Sequence, residues 1–120
     1  MILMERTGCK NLGINFDPAN LLTNGRSEPV LALRRFLPVL GGFHAKDGIA
    51  AVGAEPKGSQ KEVGKGEVDF KKLFTMLHEA GKDDMDITIE FEIPGVTERD
   101  EPIKRAKVYL ENIIGEITNG

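Results

Sequence analysis

Three side chains able to ligate a metal fall at matching places in the chain: Asp17 in Leu12-Gly13-Ile14-Asn15-Phe16-Asp17-Pro18, His44 in Phe43-His44-Ala45-Lys46, and Glu90 in Ile87-Thr88-Ile89-Glu90-Phe91-Glu92. Each lies at or near the end of a short stretch that reads as a β-strand. A mixed Asp/His/Glu set suits a divalent ion such as Mn²⁺, Zn²⁺, Co²⁺ or Mg²⁺. Cys9 is the single cysteine, so a thiolate cluster is excluded and any metal site must use carboxylates and the two histidines, His44 and His78. Each candidate also has a plainer reading. Asp17 before Pro18 could start a turn, His44 beside Phe43 could be a satisfied core histidine, and Glu90 could be the exposed side of an alternating strand. Glu90 and Glu92 lie on one side of that strand, and two glutamates on one face of a central strand are unusual unless they serve a site. Three strand-end ligands together are harder to dismiss than any one alone.

The other polar residues offer less. His78 follows Leu77 mid-helix and reads as a solvated helix residue. Lys57, Lys61 and Lys65 lie in a glycine-rich stretch without aromatics and read as a solvated loop. Gly64-Lys65-Gly66 lacks the full spacing of a phosphate-binding loop.

The elements that must position the three candidates are divided by glycine and proline. Residues 1 to about 8 read as a helix tail that Gly8 closes. Residues 12–16 read as a strand that stops at Asp17-Pro18, because proline cannot extend a central strand. Residues 18–22 lead into a polar loop, Thr23-Asn24-Gly25-Arg26. Ser27 then reads as the N-cap of a helix with Pro29 in its first turn and Val30, Leu31, Leu33, Leu37 and Leu40 on its apolar face. Gly41-Gly42 ends that helix, and residues 43–46 form the next strand, closed by Asp47-Gly48. A long loop is expected over roughly residues 48 to 68. Asp69 caps a helix carrying Phe70, Leu73, Phe74 and Leu77, which Gly81 ends. Residues 86–93 give the best strand, and Asp100 caps a last helix whose stripe is Ile103, Ala106, Tyr109, Leu110, Ile113 and Ile114. Strands alternating with helices predict an α/β domain over residues 1–120 with parallel pairing. In such folds ligands bind at the C-terminal strand ends, where Asp17, His44 and Glu90 would converge. The alternation does not choose between an open sheet and a barrel.

Composition sets outer bounds. Charged residues at 29% and hydrophobic residues at 40% describe an ordinary globular domain. A formal net charge of -3 argues against nucleic acid as the main partner. No apolar run approaches the roughly 20 residues of a membrane span. The opening Met1-Ile2-Leu3-Met4-Glu5-Arg6 is too briefly apolar for a signal peptide. A lone cysteine fits a reducing, cytoplasmic setting.

Four motifs in order resemble the sugar phosphate isomerase/epimerase family of the xylose isomerase-like TIM barrel superfamily. They are Leu12-Gly-Ile-Asn-Phe-Asp17-Pro-Ala-Asn20-Leu, Phe43-His44-Ala-Lys46-Asp47-Gly, Val63-Gly-Lys-Gly66-Glu-Val-Asp69-Phe70 and Ile87-Thr-Ile-Glu90-Phe-Glu92-Ile. The resemblance implies a (β/α)₈ barrel with one divalent ion at its C-terminal mouth, acting on a sugar or sugar phosphate by proton transfer through an enediolate. It implies Asp17, His44 and Glu90 as metal ligands, Glu90 also as an acid/base catalyst, and substrate-side roles for Asn20, Lys46 and Asp47. The family's first metal-binding glutamate belongs on a strand before the Asp17 strand, and Glu5 in the helix tail is a poor substitute. A full barrel takes about 250 residues, so 120 residues correspond to its last three βα units, strands six to eight. The expectation is therefore a truncated isomerase/epimerase. The alternative is a self-associating, non-catalytic sugar-binding half-barrel, with two open edges and an uncovered apolar strand face, that pairs with another copy or with a missing N-terminal half. An AP endonuclease is the third and weakest reading, since the resemblance implies a histidine-rich trinuclear zinc site there and this chain has two histidines.

Overall fold

The computed structural model describes residues 2–25 and 27–120. Met1 and Arg26, expected in the helix tail and the polar loop, lie outside the described residues. The elements are α1 (Ile2–Thr7), β1 (Ile14–Phe16), α2 (Pro18–Thr23), α3 (Pro29–Phe36) with a 3₁₀ turn at Leu37–Val39, β2 (Leu40–Ala45), β3 (Asp47–Ile49), β4 (Ser59–Lys61), α4 (Phe70–Glu79), β5 (Ile87–Ile89) and α5 (Asp100–Asn119). The three strands β1, β2 and β5 form one sheet in that order, both pairs parallel. Each is followed by helix, which gives the three βα units expected of the sequence.

The register sorts side chains by face. Phe16 pairs with Phe43, Phe43 with Ile87, and Ala45 with Ile89, so all of these face the helices. There they meet Ala19 of α2, Ala32 and Leu33 of α3, Phe70, Leu73, Phe74 and Leu77 of α4, and Ala106, Leu110 and Ile113 of α5. The opposite face carries Asn15 paired with Gly42, and His44 paired with Thr88. Asn15 and Thr88 are exposed. The uncovered face is thus polar, which corrects the expectation of an uncovered apolar one. Strand alternation has turned the large apolar side chains toward the helices. β1 and β5 each have one neighbour among the described strands.

Several local readings change. Residues 18–23 are helical, with Pro18 in the first turn and the Asp17 carboxylate accepting from Asn20 N–H. Glu28, not Ser27, caps α3, because its carboxylate reaches Val30 N–H and Leu31 N–H together. Gly41 and Gly42 lie inside β2 instead of ending a helix. A Cβ on Gly13 would stand 3.2 Å from the Gly41 Cα, so these glycines let two backbones approach closely. The expected loop after residue 48 contains an antiparallel hairpin, β3 with β4, joined to α2 by a Gly58 N–H to Thr23 carbonyl bond. β5 is three residues long, well short of the expected eight. Asp69 caps α4 as expected, accepting from Lys72 N–H, and Gly81 follows it at φ +72. Arg99, not Asp100, is the N-cap of α5, and Tyr109 and Ile114 on that helix are 39% and 38% exposed. Among the described residues no helix is long and apolar enough to cross a membrane.

Candidate metal centre

The site is built from the C-terminal ends of the three parallel strands. Asp17 follows β1 in extended conformation. Its Oδ1 accepts from Asn20 N–H at 3.0 Å, and its Oδ2 lies 3.2 Å from Lys46 Nζ. One oxygen of the Asp17 carboxylate therefore serves the turn, and the other faces Lys46. His44 is the penultimate residue of β2, with Phe43 and Ala45 turned into the core on either side. Its Nδ1 stands 2.9 Å from Glu90 Oε2 and its Nε2 stands 2.8 Å from Asn15 Nδ2. Glu90 comes immediately after β5, and its N–H donates to the Ala45 carbonyl at 3.1 Å. That bond extends the ladder by one residue and fixes Glu90 beside His44.

Lys46 completes the group. Its N–H donates to the His44 carbonyl at 3.1 Å, a tight turn that brings its side chain back over the strand ends. The residue is 7% exposed, and its ammonium lies 3.2 Å from Asp17 and 3.8 Å from Glu90 Oε2. One ligand atom from each of Asp17, His44 and Glu90 can be chosen so that all lie within 4.8 Å of one another. All three residues are half-buried. Two carboxylate oxygens and an imidazole nitrogen at that spread, backed by a single ammonium, are a donor set that fits one divalent cation.

The remaining candidates divide. Asn20 meets the site through its backbone N–H, while the residue itself is exposed. Asp47 does something other than contact a substrate. It is 1% exposed; its Oδ1 accepts from Gly48 and Val68 N–H, and its Oδ2 from Gly64 and Gly66 N–H, at 2.8 to 3.1 Å. A carboxylate with two donors on each oxygen has no acceptor position left for a sugar hydroxyl, so the expected substrate-side role gives way to anchoring the segment after the hairpin. That segment is also held from α5. Arg105 donates to Glu62 through Nε at 2.7 Å and Nη2 at 3.3 Å, and the Arg105 guanidinium holds the Glu62 carboxyl below its ordinary range. Burial, then the charges of Asp47 and Asp69, push the Tyr109 hydroxyl up.

Glu92 is exposed, and it is held through its backbone by the Gln60 carboxamide, at 3.1 Å to its carbonyl and 3.0 Å to its N–H. It takes no part in the cluster, because the strand ends at Ile89. His78 is exposed and pairs with Asp83 at 2.7 Å, consistent with a solvated helix end. Asn15 is the residue that sequence reasoning missed. The sequence places it two residues before Asp17, on the same strand face, but its partner His44 and the glycine opposite it lie one strand away. A Cβ on Gly42 would come within 2.9 Å of Asn15 Oδ1, so the glycine clears space for this amide.

Residues 2–113 match the family model described as xylose isomerase-like TIM barrel. Among solved structures, the chain is similar to the crystal structure of a xylose isomerase domain protein from Planctomyces limnophilus, with a TM-score of 0.86 and 31% identity. The match covers 99% of this chain and 43% of that one, so the chain spans less than half the length of this neighbour. No curated protein matches. A mixed α/β unit with parallel strands, matching that share of a barrel-like neighbour, is a partial barrel.

Proposed function

The chain belongs to the xylose isomerase-like TIM barrel family, and from that premise we propose that it carries part of a divalent-metal-dependent sugar or sugar phosphate isomerase/epimerase site. Asp17, His44 and Glu90 would hold one ion, with Mn²⁺, Co²⁺, Zn²⁺ and Mg²⁺ all chemically compatible. Residues 1–120 would form the C-terminal part of the barrel, strands six to eight. The observation that supports this most directly is the convergence of the three ligand atoms within 4.8 Å at the C-terminal ends of three parallel strands.

When bound, such an ion polarises a ketose carbonyl and its neighbouring hydroxyl. Glu90 is the group that moves a proton, taking it from the carbon beside the carbonyl to leave an enediolate. Lys46, 3.2 Å from Asp17 and 3.8 Å from Glu90, keeps both carboxylates in position. Asn20 N–H steadies Asp17 from the other side. The acid that returns the proton would be the family's upstream glutamate. Before β1 the described residues supply only α1. Exchange catalysed by this chain alone is accordingly expected to be weak.

The test begins with binding. Isothermal titration of the purified chain with Mn²⁺ should give one ion per chain, weakened by each of Asp17→Asn, His44→Gln and Glu90→Gln. Binding left intact by all three substitutions would overturn the site. Solvent deuterium incorporation into ketoses, followed with Mn²⁺ or Co²⁺ present, then tests the chemistry. Vigorous metal-dependent exchange by the chain alone would show that the upstream glutamate is not needed.

A further inference from the structure

We infer that Asn15 is a positioning residue that sets which nitrogen of His44 is open to a cation, and that its carboxamide turns over when one binds. The inference rests on the metal reading above. Asn15 Nδ2 stands 2.8 Å from His44 Nε2. An amide NH₂ can only donate, so Nε2 must accept. The ring proton of the neutral imidazole therefore sits on Nδ1, which donates to Glu90 Oε2 at 2.9 Å. Without a metal, the two neighbours together select one tautomer.

That tautomer is the wrong one for binding a cation among the three ligands. Nδ1 is the nitrogen on the carboxylate side, because Glu90 Oε2 beside it is also approached by Lys46, whose ammonium bridges to Asp17. Nε2 is engaged by Asn15 at 2.8 Å. Offering the Nδ1 lone pair requires that proton to leave and another to arrive on Nε2, with no change in net charge. Nε2–H then needs an acceptor. A half-turn of the Asn15 carboxamide supplies one, because it exchanges Nδ2 for Oδ1 and leaves the backbone alone. The neighbouring strand allows it: Gly42 has no side chain, and a Cβ there would lie 2.9 Å from Asn15 Oδ1. Asn15 can thus serve both states, as a donor without metal and an acceptor with it. This is the outer-sphere hydrogen bond by which a metal-binding histidine is held in its tautomer.

Long-range ¹H–¹⁵N correlation spectra of histidine-labelled protein, taken well above the ordinary histidine pKa, test this directly. His44 and His78 are the only histidines, so His78 is an internal control. Wild type should show His44 as Nδ1–H without metal and as Nε2–H with Zn²⁺ on Nδ1. Asn15→Asp sets an acceptor beside each ring nitrogen, so Nε2 should carry a proton before any metal is added, whether or not Nδ1 keeps its own toward Glu90. Asn15→Leu should bind Mn²⁺ about tenfold or more weakly, with Asn15→Asp retaining affinity. Unchanged His78 and backbone signals would establish that the variants are folded. The wild-type arm needs no variant. Nε2–H in metal-free wild type, an unprotonated Nε2 in Asn15→Asp, or Zn²⁺ bound with Nδ1–H retained would each overturn the role of Asn15. A His44 signal indifferent to Zn²⁺, with the metal-free tautomers as stated, would instead overturn the metal reading on which the inference rests.

Discussion

Lys46 is 7% exposed with its ammonium between Asp17 and Glu90. An ammonium is withdrawn from water this far only against opposite charge, and the two carboxylates need it equally. Lys46→Met keeps the aliphatic stem and leaves both carboxylates facing one another without a cation. The expected loss in urea unfolding without metal is about 2 kcal/mol, below the value for a fully buried pair because Asp17 and Glu90 retain some solvent. Mn²⁺ should stabilise Lys46→Met more than wild type, since it then supplies the only cation. An unchanged urea midpoint would show that the ammonium contributes nothing. At this scale the sequence was readable where an unusual polar residue stands at a strand end, as at Asp17, His44 and Glu90, which the fold brings together. It was not readable at Asn15, whose role depends on a ring nitrogen one strand away, nor at Asp47, whose four partners come from a loop of undecided path.

That loop turns a buried carboxylate into an architectural element. Asp47→Asn leaves one acceptor oxygen for four amides, and its NH₂ group faces two donors. Each buried N–H left unsatisfied costs roughly 1–3 kcal/mol, so a loss of about 3 kcal/mol or more is expected in urea unfolding. A near-neutral result would mean that the segment rearranges around the amide. Arg105 of α5 pins the same segment through Glu62, and Glu62 gives it a pH signature. Its carboxyl is held low in the folded chain, chiefly by Arg105. The stability it contributes is present above the ordinary glutamate pKa and is lost as pH falls through the lower folded value. Urea midpoints measured across that acid window should therefore fall less steeply for Glu62→Gln than for wild type, and coincident slopes would contradict the assignment. The hairpin feeding this segment was hidden because Ser59-Gln60-Lys61 has no apolar alternation to mark a strand. Gly41-Gly42 misled for the opposite reason. Glycine pairs usually punctuate, yet here they make room between strands, a requirement visible only once β1 lies against β2. The longer helices α4 and α5 were legible because their apolar stripes repeat over several turns.

A sheet with one apolar and one polar face sorts substitutions by side more than by strand. Phe43 is 1% exposed, with its ring centroid 5.6 Å from that of Phe16 and 5.5 Å from that of Phe74. Phe43→Ala should cost about 3–5 kcal/mol, the transfer loss plus the cavity left among rings that cannot collapse inward. Thr88 pairs with His44 on the polar face and is exposed. If water covers that face in solution, Thr88→Arg should change stability by no more than about 0.5 kcal/mol, with a midpoint independent of protein concentration. If a second copy packs there, the bulky cation clashes with it and must be desolvated. Thr88→Arg would then cost well over 1 kcal/mol, and the wild-type midpoint would rise with concentration. The polar inner face, Asn15, His44 and Thr88 around Gly42, predicts the first outcome, because it offers little apolar area to drive association. Urea titrations of both proteins over a hundredfold range of concentration distinguish a sheet that stands with this face in water from one that requires a partner.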